Sequence, residues 1–314
     1  MSLNILITGS SGFLGSQLCK VLSNTNHKVI GVDIKKPNNQ YKNIDYFTNS
    51  IEVFIKENAL RLSELNLIIH TASMLPYKSN KKDLVVTNIE ATKKLVDSVK
   101  NIENLFFVYV SSSGIYGKPK SLPIKNNTQE NPLDLYADTK LKSENYIRKH
   151  FSEAKFSIIR PRTILGKNRG GIFKLFFTLI EKNIPIPIPN NGNQKIQFVD
   201  VDDLTNLITH IGINEISGIW PAAAPNPKPL KSHLKNLGKQ LDKSVKTFNI
   251  NPKLFYIIGS TLIFLRLTNF TKWHFGAFPH SFYFDDSWKP EGFSYQKSCD
   301  DTFMECANSF FESL

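Results

Sequence analysis

The stretch Asn4-Ile5-Leu6-Ile7-Thr8-Gly9-Ser10-Ser11-Gly12-Phe13-Leu14-Gly15 decides the fold of this chain. Its opening reads as a strand over Asn4–Thr8, and a helical pattern runs over Gly12–Asn24. The glycines between them allow a tight turn and let backbone N–H groups approach an anion at the helix N-terminus, where the dipole favours negative charge. A glycine-rich turn in this position, after the first strand and before a helix, is the context a dinucleotide-binding fingerprint requires.

Working outward, further apolar runs read as strands at Lys28–Val32, Leu67–His70, Leu105–Ser111 and Ser157–Arg160, with helices over Asn88–Asn101 and Tyr136–Phe151. Strands alternating with helices imply βαβ crossovers, so the expected fold class is α/β, a doubly wound parallel (Rossmann) sheet. Beyond Arg160-Pro161 the texture changes. Gly170-Gly171, a Phe-rich amphipathic stretch and the proline alternation of Pro185–Pro189 exclude a long central strand. Phe198–Val201, followed by a helix start at Asp202-Asp203, reads as a return to the sheet, and Gly218–Ala223 as another short strand. The expected division is therefore a dinucleotide-binding domain over residues 1–165 plus about 193–223, and a smaller, discontinuous substrate domain over about 166–192 plus 224–314. In that second part Leu230–Leu241 reads as a helix. Asn251-Pro252 supplies an N-cap and first-turn proline for a greasy helix over Leu254–Leu267, expected to be buried or partly buried, and from Thr268 onward aromatics and turns dominate.

Composition narrows the class. The 314 residues, 41% of them hydrophobic, exclude disorder and are ample for a core. Thirty-nine Lys plus Arg against 27 Asp plus Glu give a net charge of +12, but the lysines are scattered among asparagines and read as a solvated surface rather than a binding patch. Cys19, Cys299 and Cys306 are too few and too scattered for a disulfide framework or a zinc site, which predicts three free thiols, a reducing compartment and no metal. The start lacks a signal-peptide pattern and the greasy stretch is shorter than the roughly 20 residues of a membrane span, so the expected location is the cytoplasm with no membrane.

Three elements carry chemistry. Asp33 ends the second strand 18 residues after Gly15, where an acidic side chain accepts hydrogen bonds from adenosine ribose hydroxyls. A carboxylate there repels a 2′-phosphate and favours NAD over NADP, although Lys35 and Lys36 follow closely. Tyr136 and Lys140 share a helix face at i and i+4, and an ammonium beside a phenol, with a cationic nicotinamide, brings the phenol toward a working pKa. Ser111-Ser112-Ser113-Gly114-Ile115-Tyr116-Gly117 follows a strand at its carboxyl end, where a doubly wound fold places ligands, and can supply a hydroxyl to the substrate oxygen.

In this order and spacing the chain resembles the extended short-chain dehydrogenase/reductase superfamily, in its NAD-dependent epimerase/dehydratase group that includes UDP-galactose 4-epimerase. The resemblance rests on TGSSGFLG, Asp33, HTAS at His70–Ser73, Asn88, SSSGIYG and YADTK over the first 165 or so residues. RPRTILG at Arg160–Gly166, QFVDVDDL at Gln197–Leu204 and Trp288-Lys289-Pro290 extend it more loosely. It implies Tyr136 as general base or acid, Lys140 as the residue that binds nicotinamide ribose and tunes the tyrosine, and Ser112 as the third member, with Ser111 and Ser113 second choices. It implies Gly9, Gly12, Phe13, Leu14 and Gly15 around the pyrophosphate and Asp33 at the ribose. Ser50, Ile51, Ala72, Ser73, Asn88, Pro161 and Ile164 complete the implied cofactor-binding set. His70 is implied to be structural. A homodimer pairing the Asn88 and Tyr136 helices is implied as well.

Departures narrow the activity. Ser113-Gly114 stands where 4,6-dehydratases of the group carry an Asp-Glu pair, which argues against dehydration. Ile196 replaces an arginine that holds the nucleotide diphosphate, no arginine follows Arg266, and Asn49-Ser50 replaces a Gly-Asp near the adenine. Lys195 or Lys289 could supply charge without arginine's bidentate fork. Three readings follow: an NAD-dependent epimerase of a sugar, nucleotide-linked as in the family; an NAD(P)-dependent reductase or dehydrogenase of a ketone or alcohol; and a non-catalytic NAD-binding protein whose basic surface meets RNA or an acidic partner. The first is the leading one, with a small-molecule substrate and no nucleic acid as partner.

Overall fold

The architecture comes from a computed structural model, which describes residues 2–76, 80–167, 169, 171–265, 268 and 272–313. Six strands, β1 (Asn4–Thr8), β2 (Lys28–Asp33), β3 (Ile44–Thr48), β4 (Leu67–His70), β5 (Phe106–Val110) and β6 (Phe156–Pro161), are joined by Gly218–Ala222 beside β6. The seven form one parallel sheet in which β1 lies between β2 and β4. The chain runs outward from β1 through β2 to β3 and then crosses back to β4. This reversal opens a crevice at the carboxyl ends of β1 and β4, the place where doubly wound sheets bind ligands.

Period-2 alternation explains why both faces of the sheet are covered. Ile5 and Ile7 of β1 pack with Leu14 and Leu18 of helix α1 (Phe13–Leu22) and with Leu204, Leu207 and Ile208 of the Val201–Ile213 helix. Leu6 points the other way, into Leu95, Val96, Phe107 and Ile147.

The anticipated strands and helices of the front half are present with ends shifted by a few residues; the Asn88 helix is part of a longer run, with Lys81–Val85, a π-helical turn at Val86–Glu90 and Ala91–Val99 in succession. Strand β3 went unanticipated because it is an edge strand with only Ile44 buried, so it carries no apolar run. Phe198–Val201 does not rejoin the sheet. Phe198–Asp200 pairs instead with Thr163–Leu165 in a separate two-stranded sheet, and Asp200 ends it by capping the Asp202 N–H (2.9 Å). The proline alternation forms only the short strand Ile186–Pro189, paired with Thr247–Ile250.

One correction concerns the back half, and the greasy helix proves partly buried. Cys299–Phe311 is a helix of 13 residues rather than turn-rich chain, started by a capping box between Ser298 and Asp301. It packs Phe303 and Cys306 against Phe173, Phe177 and Phe198, and Cys19, Cys299 and Cys306 are all buried free thiols. The greasy helix spans Pro252–Phe264 and buries only Phe255 and Gly259, the latter so close to the Phe275 ring that a Cβ would clash. Leu254, Ile257, Ile258 and Phe264 are exposed, so the burial is confined to one strip. Arg266, Leu267 and Gly170 lie outside the described residues. No helix among the described residues is long and apolar enough to cross a membrane.

A buried charge network fixes the Leu135–His150 helix against β6. Arg160, 2% exposed, donates Nε to Glu144 Oε1 (3.1 Å), Nη2 to Glu144 Oε2 (2.6 Å) and Nη1 to the Tyr116 hydroxyl (2.5 Å), and it also reaches Glu130. Arg148 shares both carboxylates, at 2.8 Å from Glu144 and 3.0 Å from Glu130. Removing one member of a buried pair strands the other charge. Glu144→Ala is therefore expected to lower unfolding free energy by about 3 to 5 kcal/mol in urea titrations.

Candidate active site

The glycine turn is shaped by how closely backbone must approach backbone. A Cβ on Gly15 would sit 2.0 Å from the Gly9 carbonyl oxygen, and one on Gly9, whose φ is +74°, would sit 2.8 Å from the Ala72 backbone. Gly9 N–H donates to the Val32 carbonyl (2.8 Å) and Gly12 N–H to the Gly9 carbonyl (2.9 Å), so the loop is tied to both β1 and β2. Among the described residues no side chain caps α1, whose N-cap is Gly12. The first-turn N–H groups at Phe13, Leu14 and Gly15 therefore keep the donor capacity that an anion would take.

Asp33 closes the other side of the loop. Its carboxylate accepts from the backbone N–H of Ser11 (3.0 Å) and of Lys35 (2.9 Å), and Ser11 Oγ donates to the Lys35 carbonyl (2.7 Å). A carboxylate offers about four acceptor sites, so two such bonds leave capacity for a ribose diol. The Lys35 side chain takes no part in this contact. Ser50 follows β3 as the N-cap of the Ile51–Glu57 helix, accepting from Val53 N–H at 3.2 Å.

Across the crevice, Ala72 and Ser73 follow β4. Asn88, 1% exposed, holds this segment: its Oδ1 accepts from Met74 N–H (2.7 Å) and Ser73 Oγ (3.2 Å), and its Nδ2 donates to the Met74 carbonyl and to Thr139 Oγ1, both 3.1 Å. Those four bonds use all of its hydrogen-bonding capacity. Asn88 thus fastens the Ser73 loop to the helix bearing Tyr136. His70 is fully buried between Thr8 Oγ1 (2.6 Å) and Thr92 Oγ1 (2.8 Å). Burial, with Lys140 nearby, pushes its pKa down to about 3, so it stays neutral as a structural link.

Lys140 is 2% exposed and donates to the carbonyl of Val110 (2.9 Å), the last residue of β5. Its Nζ lies 4.9 Å from the Tyr109 ring centre and 5.9 Å from that of Tyr136. Ser112 lies two residues beyond Val110, and its Oγ accepts from Gly114 N–H at 3.1 Å. Gly114 abuts Ala137, where a Cβ would stand 3.5 Å from the alanine Cβ, so the serine turn rests on the first turn of the Tyr136 helix. That helix begins at Leu135 because Asp134 caps the Ala137 N–H at 2.8 Å. Pro161 ends β6 buried, and Ile164 sits in the Thr163–Leu165 strand against the core around β1.

Two side chains here carried no assigned role in the sequence. Glu144 could have been found as the next i+4 step after Lys140 on one helix face. Arg162 donates Nη1 to Ser113 Oγ (3.2 Å), lies 4.1 Å from the Phe282 ring centre, and burial pushes its pKa down to about 10. Only tertiary structure brings Phe282 to it.

A family model for the NAD-dependent epimerase/dehydratase family matches residues 5–217. The chain belongs to that family. An uncharacterized protein, y4nG, of Sinorhizobium fredii is 33% identical over 207 residues, which is 64% of this chain and 51% of that protein, so the match spans about half of that relative's length. The fold also matches the UDP-glucuronic acid 4-epimerase of Bacillus cereus in complex with NAD, with a TM-score of 0.75 at 20% identity over 99% of both chains. It matches the UDP-N-acetylglucosamine 4-epimerase of Methanobrevibacter ruminantium in complex with UDP-N-acetylmuramic acid, with a TM-score of 0.76 at 18% identity over 100% of this chain and 99% of that one.

Burial lowers the Lys140 pKa to about 7, with Glu144 opposing. An unfolded lysine keeps its proton up to about pH 10.4, so the unfolded chain binds more protons between those two values and stability rises with pH across that window. Lys140→Met is expected to flatten that rise, read as unfolding free energy from pH 7 to 10.

Proposed function

We propose that this protein is an NAD-dependent epimerase of a nucleotide-linked sugar, with Tyr136 as acid and base, Lys140 as its electrostatic partner and Ser112 as the group that holds the reacting oxygen. The observation that carries the reading is the buried Lys140 Nζ, which hangs from the carbonyl that ends β5 and lies 5.9 Å from the Tyr136 ring centre. This lies at the carboxyl edge of the sheet, as does the glycine turn. The uncapped start of α1 and the Asp33 carboxylate fit a dinucleotide: Gly9, Gly12, Phe13, Leu14 and Gly15 would hold its pyrophosphate and Asp33 its adenosine ribose. The NAD that fits there supplies a hydride acceptor and, after the sugar ketone has turned over, a hydride donor.

The chain's own contribution is proton and oxygen handling. A phenol with an ordinary pKa near 10 is a weak base at neutral pH, and an ammonium close to its ring favours the phenolate. Lys140 would in turn be held in its charged form by that phenolate, so the two groups share one proton between them. Tyr136 takes the hydroxyl proton of the substrate as the alcohol is oxidised and returns it when the opposite face is reduced. Ser112 hydrogen-bonds the same oxygen in both passes. Asn88, Thr139 and the Arg160–Glu144 pair act through the backbone they fix.

The division proposed for the chain follows from this: residues 1–165 plus about 193–223 for the cofactor, and 166–192 plus 224–314 for the substrate. A homodimer through the Asn88 and Tyr136 helices is proposed as well, and exposed Val86 and Leu135 on that surface support it. Sedimentation velocity at micromolar concentration is expected to give twice the chain mass; a monomer there removes this part.

Tyr136→Phe is expected to lower turnover about 10²- to 10⁴-fold while leaving bound NAD in place. Denaturing the purified wild-type protein should release NAD at close to one per chain, measured by mass. Release of none, with activity that consumes added NADH or NADPH in step with product, would instead make the protein a reductase.

A further inference from the structure

Arg160 and Arg162 leave the same strand end with opposite surroundings. Arg160 is matched by two carboxylates, whereas Arg162 has no ion pair among the described residues. Its Nη1 donates to Ser113 Oγ, and its Nε is buried with no hydrogen-bond partner among the described residues. Burying a guanidinium with donors unmet costs free energy unless an acceptor arrives. The position of this cation is informative. Ser113 follows Ser112 directly, so the guanidinium lies one residue from the proposed catalytic serine. Its other neighbour, Phe282, forms a bridge with Ile196, and Phe282 N–H donates to the Lys195 carbonyl at 3.1 Å. Position 196 is where the family pattern calls for arginine. Arg162 places a positive charge against Phe282, the residue that bridges position 196.

We propose that Arg162 is the anion-binding side chain of the substrate pocket and takes an oxyanion of the substrate on its guanidinium, which no carboxylate neutralises among the described residues, this oxyanion being the diphosphate or a carboxylate on the sugar. The proposal rests on the nucleotide-sugar reading for the identity of the ligand, and on the geometry alone for its charge. Arginine presents a planar fork suited to either group, and its seat on the Phe282 ring pre-orients that fork.

The test titrates the NAD-loaded protein by calorimetry with UDP, UDP-glucose, UDP-glucuronic acid and inorganic pyrophosphate, for wild type, Arg162→Met and Arg162→Lys. Arg162→Met is expected to weaken binding about ten- to a hundredfold, the loss of one charge-assisted contact. Its melting temperature should not fall, because a half-buried charge without an ion pair has been removed rather than a paired one. Arg162→Lys should recover part of the affinity. Equal losses for all four ligands identify the diphosphate as the group held; a loss for UDP-glucuronic acid beyond that for UDP-glucose identifies the sugar carboxylate. Arg162→Met binding every ligand like wild type overturns the proposal, as does a wild type that binds none of the four. A binding loss matched by a large drop in melting temperature also overturns it, because a scaffold role then suffices. If wild type binds pyrophosphate through Arg162 but none of the three nucleotides, the anion site stands and the nucleotide-sugar reading falls.

Discussion

The helix Leu135–His150 carries charge into the interior, and much of the site depends on how that charge is satisfied. Lys140 and Glu144 sit one turn apart, at 2% and 0% exposure. Glu144 faces Arg160 of β6 and anchors the helix to the sheet; Lys140 hangs from the carbonyl that ends β5. Burying either group without a hydrogen-bond partner would cost free energy. Together they set the height and rotation of the helix, and with it the place of Tyr136 and of the serine turn that rests on Ala137.

A second constraint lies at the glycine turn, where helix and strand meet with no room for a side chain. The 2.0 Å approach that a Cβ on Gly15 would make to the Gly9 carbonyl leaves no substitution that keeps the turn intact. The same closeness brings the first turn of α1 to the sheet edge beside Asp33 and Ala72. The glycine turn, the Asp33 carboxylate and Lys140 stand at the carboxyl ends of β1, β2 and β5, on the edge where a doubly wound order with its reversal beside β1 opens a crevice.

One set of polar side chains beside this crevice is spent on itself. Thr8, His70, Thr92 and Asn88 form a buried chain of hydrogen bonds linking β1, β4 and the Asn88 helix, and Asn88 carries it to Thr139 on the Tyr136 helix. Such fully satisfied networks specify one arrangement of a core. Arg162 differs from every member of it because part of its hydrogen-bonding capacity is left over beside the serine turn.

How far the amino-acid sequence reaches can be judged from particular residues. The βαβ order, the turn at Gly9–Gly15 and the i, i+4 pair of Tyr136 and Lys140 were legible because each is a local pattern: strand alternation, glycine freedom and helical spacing are properties of neighbours along the chain. The Ile44–Thr48 edge strand and the Phe198–Asp200 pairing were not, since which strand accepts another is set by partners distant in sequence. The capping box at Ser298–Asp301 was a local signal that went unread. Helical spacing puts Glu144 on the face of Lys140, but its partner Arg160, like the Phe282 neighbour of Arg162, is brought by tertiary structure. A carboxylate becomes an anchor only where folding buries an arginine against it, and an arginine becomes available to a ligand only where folding buries it without one.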